Sequence, residues 1–190
     1  MKALILNGAL KEDQELVAVS RFAEEILVQQ GYEVDSILLR EKEIGECIGC
    51  FDCWVKTPGI CIINDYGRII AEKIINSEFV LWLTPIAYGG YSSELKKAMD
   101  RIIPLLLPFF KKVQGEVHHK ERYEKYPRVS VLGVMEEKDD EREEIFNCLI
   151  KRNALNWYNT YGGGILYKGV EGDMKNQLEE QLMLKEGSIC

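Results

Sequence analysis

Apolar residues come in short unbroken runs separated by stretches with helical spacing. Lys2–Leu6 is an apolar run closed by Asn7-Gly8, the pattern of a buried strand and its turn. Leu16, Val19, Ala23, Ile26 and Leu27 then recur at helical spacing, and Gly31 sits where a C-terminal cap belongs. Tyr32–Leu39 alternates as a second strand. Asn64 and Asp65 are placed to cap a helix striped by Ile69, Ile70, Ile74 and Ile75. Phe79–Leu83 is a near-continuous apolar strand that ends in the turn Thr84-Pro85. Ser92 and Ser93, with Glu94 behind them, open a helix whose face carries Leu95, Met99, Ile102 and Ile103, and Pro104 and Pro108 bend or end it. Val129–Val134 is a fourth strand, and Asp139-Asp140 starts a helix running through Ile145 and Leu149. Ile165–Tyr167 belongs to a fifth strand, after which Asp173 caps a helix with Met174, Leu178 and Leu182.

Strand followed by helix, five times over, predicts an α/β fold with a parallel sheet covered by helices on both faces. No internal repeat or linker interrupts residues 1–190, which predicts a single doubly wound domain. Residues 111–127, with His118, His119, Tyr123 and Tyr126, read as a polar loop insertion. In such a sheet ligands bind beyond the carboxyl ends of the strands, so the loops after the first, third and fourth strands matter most. The three-glycine dinucleotide fingerprint and the Gly-Lys-Ser/Thr phosphate loop are both missing, which disfavours a nicotinamide Rossmann domain and a P-loop nucleotidase.

With 190 residues, 46% apolar and 29% charged, the composition is that of a globular chain able to fold without disulfide or metal. Lys and Arg number 24 against 31 Asp and Glu, a net charge of −7 that argues against nucleic acid or an anionic membrane as partner. Neither Phe79–Leu83 nor the Pro-broken Ile102–Phe110 is long enough to span a bilayer, and the first residues lack a signal-peptide pattern, so a cytoplasmic location is expected.

Of six cysteines, four fall together as Cys47, Cys50, Cys53 and Cys61. In a reducing compartment such clustering points to metal or redox chemistry rather than structural disulfides. Three thiolates at two-residue spacing suit one face of a cubane cluster, with a fourth a short distance on. Zinc more often takes two separated Cys-x-x-Cys pairs. A [4Fe–4S] cluster, free thiols and a zinc site all remain open at this level. Cys148 reads as a buried small hydrophobe and Cys190 as an exposed tail residue.

Three stretches together resemble the flavodoxin-like NADPH-dependent FMN reductases, and especially their iron–sulfur flavoprotein branch. They are Asn7-Gly8, the loop from Cys47 to Cys61 through Cys50, Cys53 and Gly59, and the run Thr84-Pro85-Ile86-Ala87-Tyr88-Gly89-Gly90-Tyr91-Ser92-Ser93 with Asp100-Arg101 behind it. The resemblance is strong over residues 1–110 and topological after that. It implies a flavodoxin-like doubly wound five-stranded parallel sheet and FMN as cofactor. The FMN phosphate would face Asn7, Gly8, Ala9, Lys11 and Gln14, and the ring Thr84, Pro85, Ile86, Ala87, Tyr88, Gly89 and Gly90. It further implies NAD(P)H or a carrier such as ferredoxin as electron donor, one [4Fe–4S] cluster on the four cysteines, and a homodimer or homotetramer.

Residue by residue, the first loop departs from that family. The family usually adds Ser or Thr hydroxyls and a further glycine here, whereas this chain has Ala9, Leu10, Gln14 and Leu16, and Glu12, Asp13 and Glu15 put three acids beside Lys11. An Asp13 cap would occupy amides that a phosphate needs. In the second loop, Gly89-Gly90 lets the backbone approach a flat ring, and Tyr88 or Tyr91 is placed to stack on it or to serve as core. Lys96 and Asp100-Arg101 read as surface and ion-pair residues, His118 and His119 as exposed loop residues unable to chelate one metal together, and Gly162–Gly164 as a flexible turn. No Ser–His–Asp set can be assembled, and none is needed where a flavin carries the chemistry. Two other classes fit the same residues: an electron carrier without nicotinamide turnover, and a flavodoxin-fold scaffold that has lost FMN and uses its cysteines for zinc or a partner.

Overall fold

Five apolar runs pair into one parallel sheet. The computed structural model describes residues 1–11, 13–158, 162–168 and 171–183; Glu12 and Cys190 lie outside them. Strands β1 (Lys2–Asn7), β2 (Glu33–Leu38), β3 (Phe79–Pro85), β6 (Arg128–Met135) and β7 (Gly163–Tyr167) stand in the order β2-β1-β3-β6-β7. This is the flavodoxin-like order, with its switch point between β1 and β3.

Helices α1 (Gln14–Gln29) and α6 (Glu171–Met183) cover one face. There Leu16, Val19, Ala23 and Leu27 pack with Met174 and Leu178 over Ile5, Leu81 and Leu83. The opposite face takes α3 (Tyr66–Ile75), α4 (Ser93–Asp100) and α5 (Asp140–Asn156), whose Ile70, Ile74, Leu95, Phe146 and Ile150 close over Leu4, Leu6, Val80 and Trp82. The central strands are apolar on both sides because both sides are covered.

The caps follow the residue types. Asp65 accepts from the Gly67 amide at the head of α3, Ser92 from the Leu95 amide at the head of α4, and Asp139 from the Arg142 amide at the head of α5. Gly31 takes φ +85° beyond α1, as a C-terminal cap requires.

Several expectations are corrected. Residues 111–127 are not a loop insertion, because most of them belong to a hairpin, β4 (Leu106–Val113) and β5 (Glu116–Glu121). Gln114 and Gly115, at φ 51° and 86°, make its two-residue turn, the left-handed pair that matches strand twist. Pro108 lies within β4, and α4 stops at Asp100, with Ile103 in a separate 3-10 turn. On α5 the buried face is Phe146 and Ile150, with Ile145 exposed, and on α3 Ile69 is exposed. Helix α6 begins at Glu171, so Asp173 lies inside it rather than capping it. Cys148 is exposed, and Gly163-Gly164 forms part of β7, where a Cβ on Gly163 would stand 2.7 Å from the Val131 carbonyl oxygen.

Candidate functional site

Two loops meet at the β1/β3 switch point. Ser92 Oγ donates to the Gly8 carbonyl at 2.7 Å, and the Gly8 amide donates to the Leu83 carbonyl at 2.8 Å. A Cβ on Gly8 would come within 2.8 Å of Leu95 Cβ, so glycine is required for this close approach.

The first loop is turned in on itself. Asn7, Gly8 and Ala9 are buried, while Lys11 and Gln14 are exposed. Asn7 Oδ1 accepts from the Ala9 amide at 2.9 Å, and Asp13 Oδ1 accepts from the Leu16 amide at 3.1 Å. Lys168 Nζ lies 2.7 Å from Glu136, 3.3 Å from Glu15 and 3.7 Å from Asp13. Burial works to lower the Lys168 pKa, but these carboxylates outweigh it and hold it above the usual lysine value. The amides at Ala9 and Leu16 already serve the chain's own oxygens, so this loop offers a flavin phosphate a reduced donor set.

Across the switch point the second loop is open. Thr84 Oγ1 accepts from the Ser92 amide at 2.8 Å and donates to the Pro85 carbonyl at 2.9 Å, which fixes the exit of β3. Ile86 donates to the Val134 carbonyl at 2.9 Å, and Ala87 and Gly90 exchange both backbone hydrogen bonds across a tight turn. Its tip holds Tyr88 at φ 50° and Gly89 at φ 76°. Tyr88 is wholly exposed, at 102%. Tyr91 instead packs edge-on against Phe146, and its hydroxyl accepts from Asn153 Nδ2 at 2.8 Å. Burial outweighs that hydrogen bond and pushes the Tyr91 pKa up to about 12. A glycine turn bearing a free aromatic beside a cleft fits the face of a planar ring.

That cleft, about 810 Å³, is lined by Gly90 and Tyr91 and by Cys47, Cys50, Cys53 and Cys61. The four cysteines are thus brought together at one cleft. The chain reaches this arrangement through left-handed residues at Gly49, Phe51 and Gly59 and a single helical turn, α2 (Asp52–Val55). The thiols are graded in exposure: Cys47 and Cys50 are exposed, Cys61 is half-buried and Cys53 is buried. Burial, reinforced by the three neighbouring thiols, pushes the Cys53 pKa up. Among the described residues no three His, Cys, Asp or Glu side chains converge tightly enough to hold a single metal ion. Zinc bonds of about 2.3 Å would demand sulfurs within about 4 Å of one another. The all-thiolate donor set suits an iron–sulfur cluster, whose ligands stand outside a larger core.

The sequence reads Arg101 as a surface and ion-pair residue; the ion pair forms, with Asp65, but the side chain is fully buried, at 0% exposure. Nη1 donates to the Gly45 carbonyl at 2.8 Å and Nη2 to the Ile63 carbonyl at 3.1 Å, while both reach Asp65, at 2.7 and 2.8 Å. Arg101 thus pins both ends of the cysteine segment. Burial alone would raise the Asp65 pKa, but the guanidinium and the Gly45 and Gly67 amides outweigh it and hold the carboxyl below the usual range. The neighbouring Lys96 and Asp100 form an exposed ion pair along α4, as expected.

The hairpin supplies the remaining wall. His119 lines the cleft, stacks between Trp54 and Phe110, and pairs through Nδ1 with the Leu107 carbonyl at 2.8 Å. His118 points the other way, buried, 2.8 Å from Asn156 Oδ1. Trp54 Nε1 donates to the Leu106 carbonyl at 2.9 Å, which ties the hairpin to the cysteine loop. Neither histidine is the exposed loop residue expected. The Gln114-Gly115 turn between two strand-forming runs was the signal that could have revealed them.

The profile of the family described as NADPH-dependent FMN reductase matches residues 1–120. The chain is 32% identical over 109 residues to an iron–sulfur flavoprotein of Methanocaldococcus jannaschii, covering 57% of this chain and 55% of that one. It is 28% identical over 102 residues to an FMN-dependent NADPH-azoreductase of Staphylococcus aureus, covering 54% and 52%. The chain thus spans about half the length of the curated relatives it matches. A solved NAD(P)H:quinone oxidoreductase from Methanothermobacter marburgensis superposes with TM-score 0.67 at 13% identity, over 100% of this chain and 97% of that one. An FMN-dependent NADH-azoreductase from Bacillus anthracis, solved with FMN, gives 0.66 at 14% identity, over 96% and 98%. At these identities the two structures establish the fold alone.

Proposed function

The chain belongs to the NADPH-dependent FMN reductase family, and on that premise we propose that it is a flavin-dependent oxidoreductase. Its electrons come from NADPH, NADH or a carrier such as ferredoxin and pass to a small acceptor such as a quinone. The observation that carries this reading is the open Tyr88-Gly89-Gly90 turn at the switch point, beside the cleft that Gly90 lines. When bound, a flavin supplies hydride and electron transfer, which no side-chain set here provides.

The protein's part is placement. Thr84, Pro85, Ile86 and Ala87 fix the exit of β3, and Tyr88, Gly89 and Gly90 offer the ring a flat backbone surface. Asn7, Gly8, Ala9, Lys11 and Gln14 are the residues that would hold the ribityl end. Cys47, Cys50, Cys53 and Cys61 would hold one [4Fe–4S] cluster, and Arg101 holds the ends of that segment. Exposed Phe51, Val55, Phe109 and Phe110 form an apolar rim that suits burial against a second copy, so a homo-oligomer belongs to this reading. Among the described residues no helix is long and apolar enough to cross a membrane. The clustered free cysteines fit a reducing, cytoplasmic setting.

The test is the visible spectrum of protein purified without oxygen, before and after dithionite, with iron counted on the same sample and NAD(P)H oxidation followed. A two-banded yellow spectrum that bleaches supports the reading, and about four irons per chain support the cluster. Yellow protein without iron removes the cluster and keeps the reductase. Cofactor without nicotinamide turnover favours an electron carrier. Colourless protein that takes up no added flavin overturns the reading in favour of a scaffold.

A further inference from the structure

The two halves of the flavin site differ in what they offer a ligand. We propose, resting on the flavin reading above, that this chain holds the ring without selecting for the 5′-phosphate, so that riboflavin and FMN bind alike. A helix N-terminus attracts phosphate because its first amides lack partners and its dipole end is positive. At the head of α1 and in the turn before it the chain takes part of that role itself. Asp13 Oδ1 takes the Leu16 amide, Asn7 Oδ1 takes the Ala9 amide, and the Asp13 amide turns back to the Leu10 carbonyl at 3.1 Å.

Of the nearby cations, Arg40 and Lys168 are likewise engaged, while Lys11 is exposed. Arg40 Nη1 donates to the Leu10 carbonyl at 2.5 Å. Lys168 is shared among Asp13, Glu15 and Glu136, so three carboxylates surround one ammonium. A phosphate carries about −1.5 to −2 charge at neutral pH, and it would meet this surplus of acid directly. Side-chain hydroxyls do not compensate, since residues 7–16 contain no Ser or Thr. The ring side needs none of these groups. Its Gly89-Gly90 turn and the Tyr91 wall of the cleft are neutral and formed by backbone and aromatic surface.

Specificity for a phosphorylated ligand comes from groups that pair with the phosphate, and a site without them gains nothing from its presence. The experiment is equilibrium titration of the full chain with FMN and, separately, riboflavin, read by quenching of flavin fluorescence. It is repeated with the Asp13→Ser, Glu15→Gln double variant. Serine also caps a helix, so α1 keeps its start while two charges leave and Lys168 keeps only its Glu136 partner. Circular dichroism confirms that the variant is folded.

The expected result is less than a threefold difference between the two flavins in the native protein. In the variant FMN should tighten about tenfold while riboflavin stays unchanged. FMN binding tenfold or more tighter than riboflavin in the native protein overturns the proposal and leaves the flavin reading standing. A folded variant whose FMN affinity does not move overturns the roles given to Asp13 and Glu15. If neither flavin binds, the flavin reading itself fails, and the proposal with it.

Discussion

Replacing Arg101 with alanine should loosen the cysteine segment and cost the protein a large share of its stability. The guanidinium is fully buried and makes four hydrogen bonds of 2.7–3.1 Å, two of them to Asp65 and one each to the Gly45 and Ile63 carbonyls. Removing one partner of a buried ion pair leaves the other charge uncompensated, at about 3–5 kcal/mol. Whole domains are stable by only about 5–15 kcal/mol. In a chain of this size each kcal/mol moves the melting temperature about 2–4 °C, so the loss should be roughly 6–20 °C.

The damage should also be local, because Gly45 and Ile63 lose their donor at the two mouths of the loop. Hydrogen exchange over residues 45–65 should accelerate more than exchange in β1 or β3. The Asp65→Asn, Arg101→Met pair should cost less than the two single changes added together. Because the folded Asp65 pKa lies below its unfolded value, the pair contributes fully above about pH 4. That contribution fades as pH falls through the folded value, so the Arg101→Ala penalty should shrink in acid. A destabilisation under about 1 kcal/mol at neutral pH, or unchanged exchange over residues 45–65, would refute this account of the clamp.

Three further outcomes are expected. Gly133→Ala puts a Cβ 2.6 Å from Ile86 Cδ1 and 2.7 Å from Phe146 Cε1. It should cost about 1–3 kcal/mol in urea unfolding and weaken flavin binding through the displaced Ile86, and a neutral result would mean that the β6 packing is softer than described. With its pKa near 12, Tyr91 should stay protonated where ordinary tyrosines ionise, so Tyr91→Phe should leave the absorbance step near pH 10 unchanged, and a missing step would contradict its burial. In protein stripped of metal, iodoacetamide should label Cys47, Cys50 and Cys148 first and Cys53 last, followed by peptide mass spectrometry; early labelling of Cys53 would show that its pocket opens.

The sheet was legible because its central strands β1, β3 and β6 are apolar on both faces while the edge strand β2 alternates. The starts of α3, α4 and α5 were legible too, since Asp65, Ser92 and Asp139 announce themselves as caps. Helix phase was harder. On α5 the run Ile145-Phe146 offers two adjacent apolar residues, and only packing against Tyr91 and the sheet decides that Phe146 turns inward. The hairpin escaped notice because Phe109, Phe110 and Val117 are exposed, so its strands lack alternation toward a core. Arg101 reads as a surface residue from its neighbours Lys96 and Asp100, and its partner Asp65 lies 36 positions away, beyond the reach of local pattern. The acid-rich first loop, by contrast, was readable directly: the Asp13 cap foreseen from residue type is the one that forms.

Helix α4 joins the glycine turn to the cysteine segment. Its cap, Ser92, is bonded to the exit of β3 and to Gly8, and Arg101, the residue after its last turn, grips the cysteine segment. Eight residues at 1.5 Å rise give a strut of about 12 Å. The gap between the glycine turn and the thiols is therefore a ruler length written into the chain, not a distance left to loops to find. Inserting one residue in α4 would turn Arg101 by about 100° and carry it off its three partners. Evolution can thus vary the exposed residues along this helix, but hardly its number of residues.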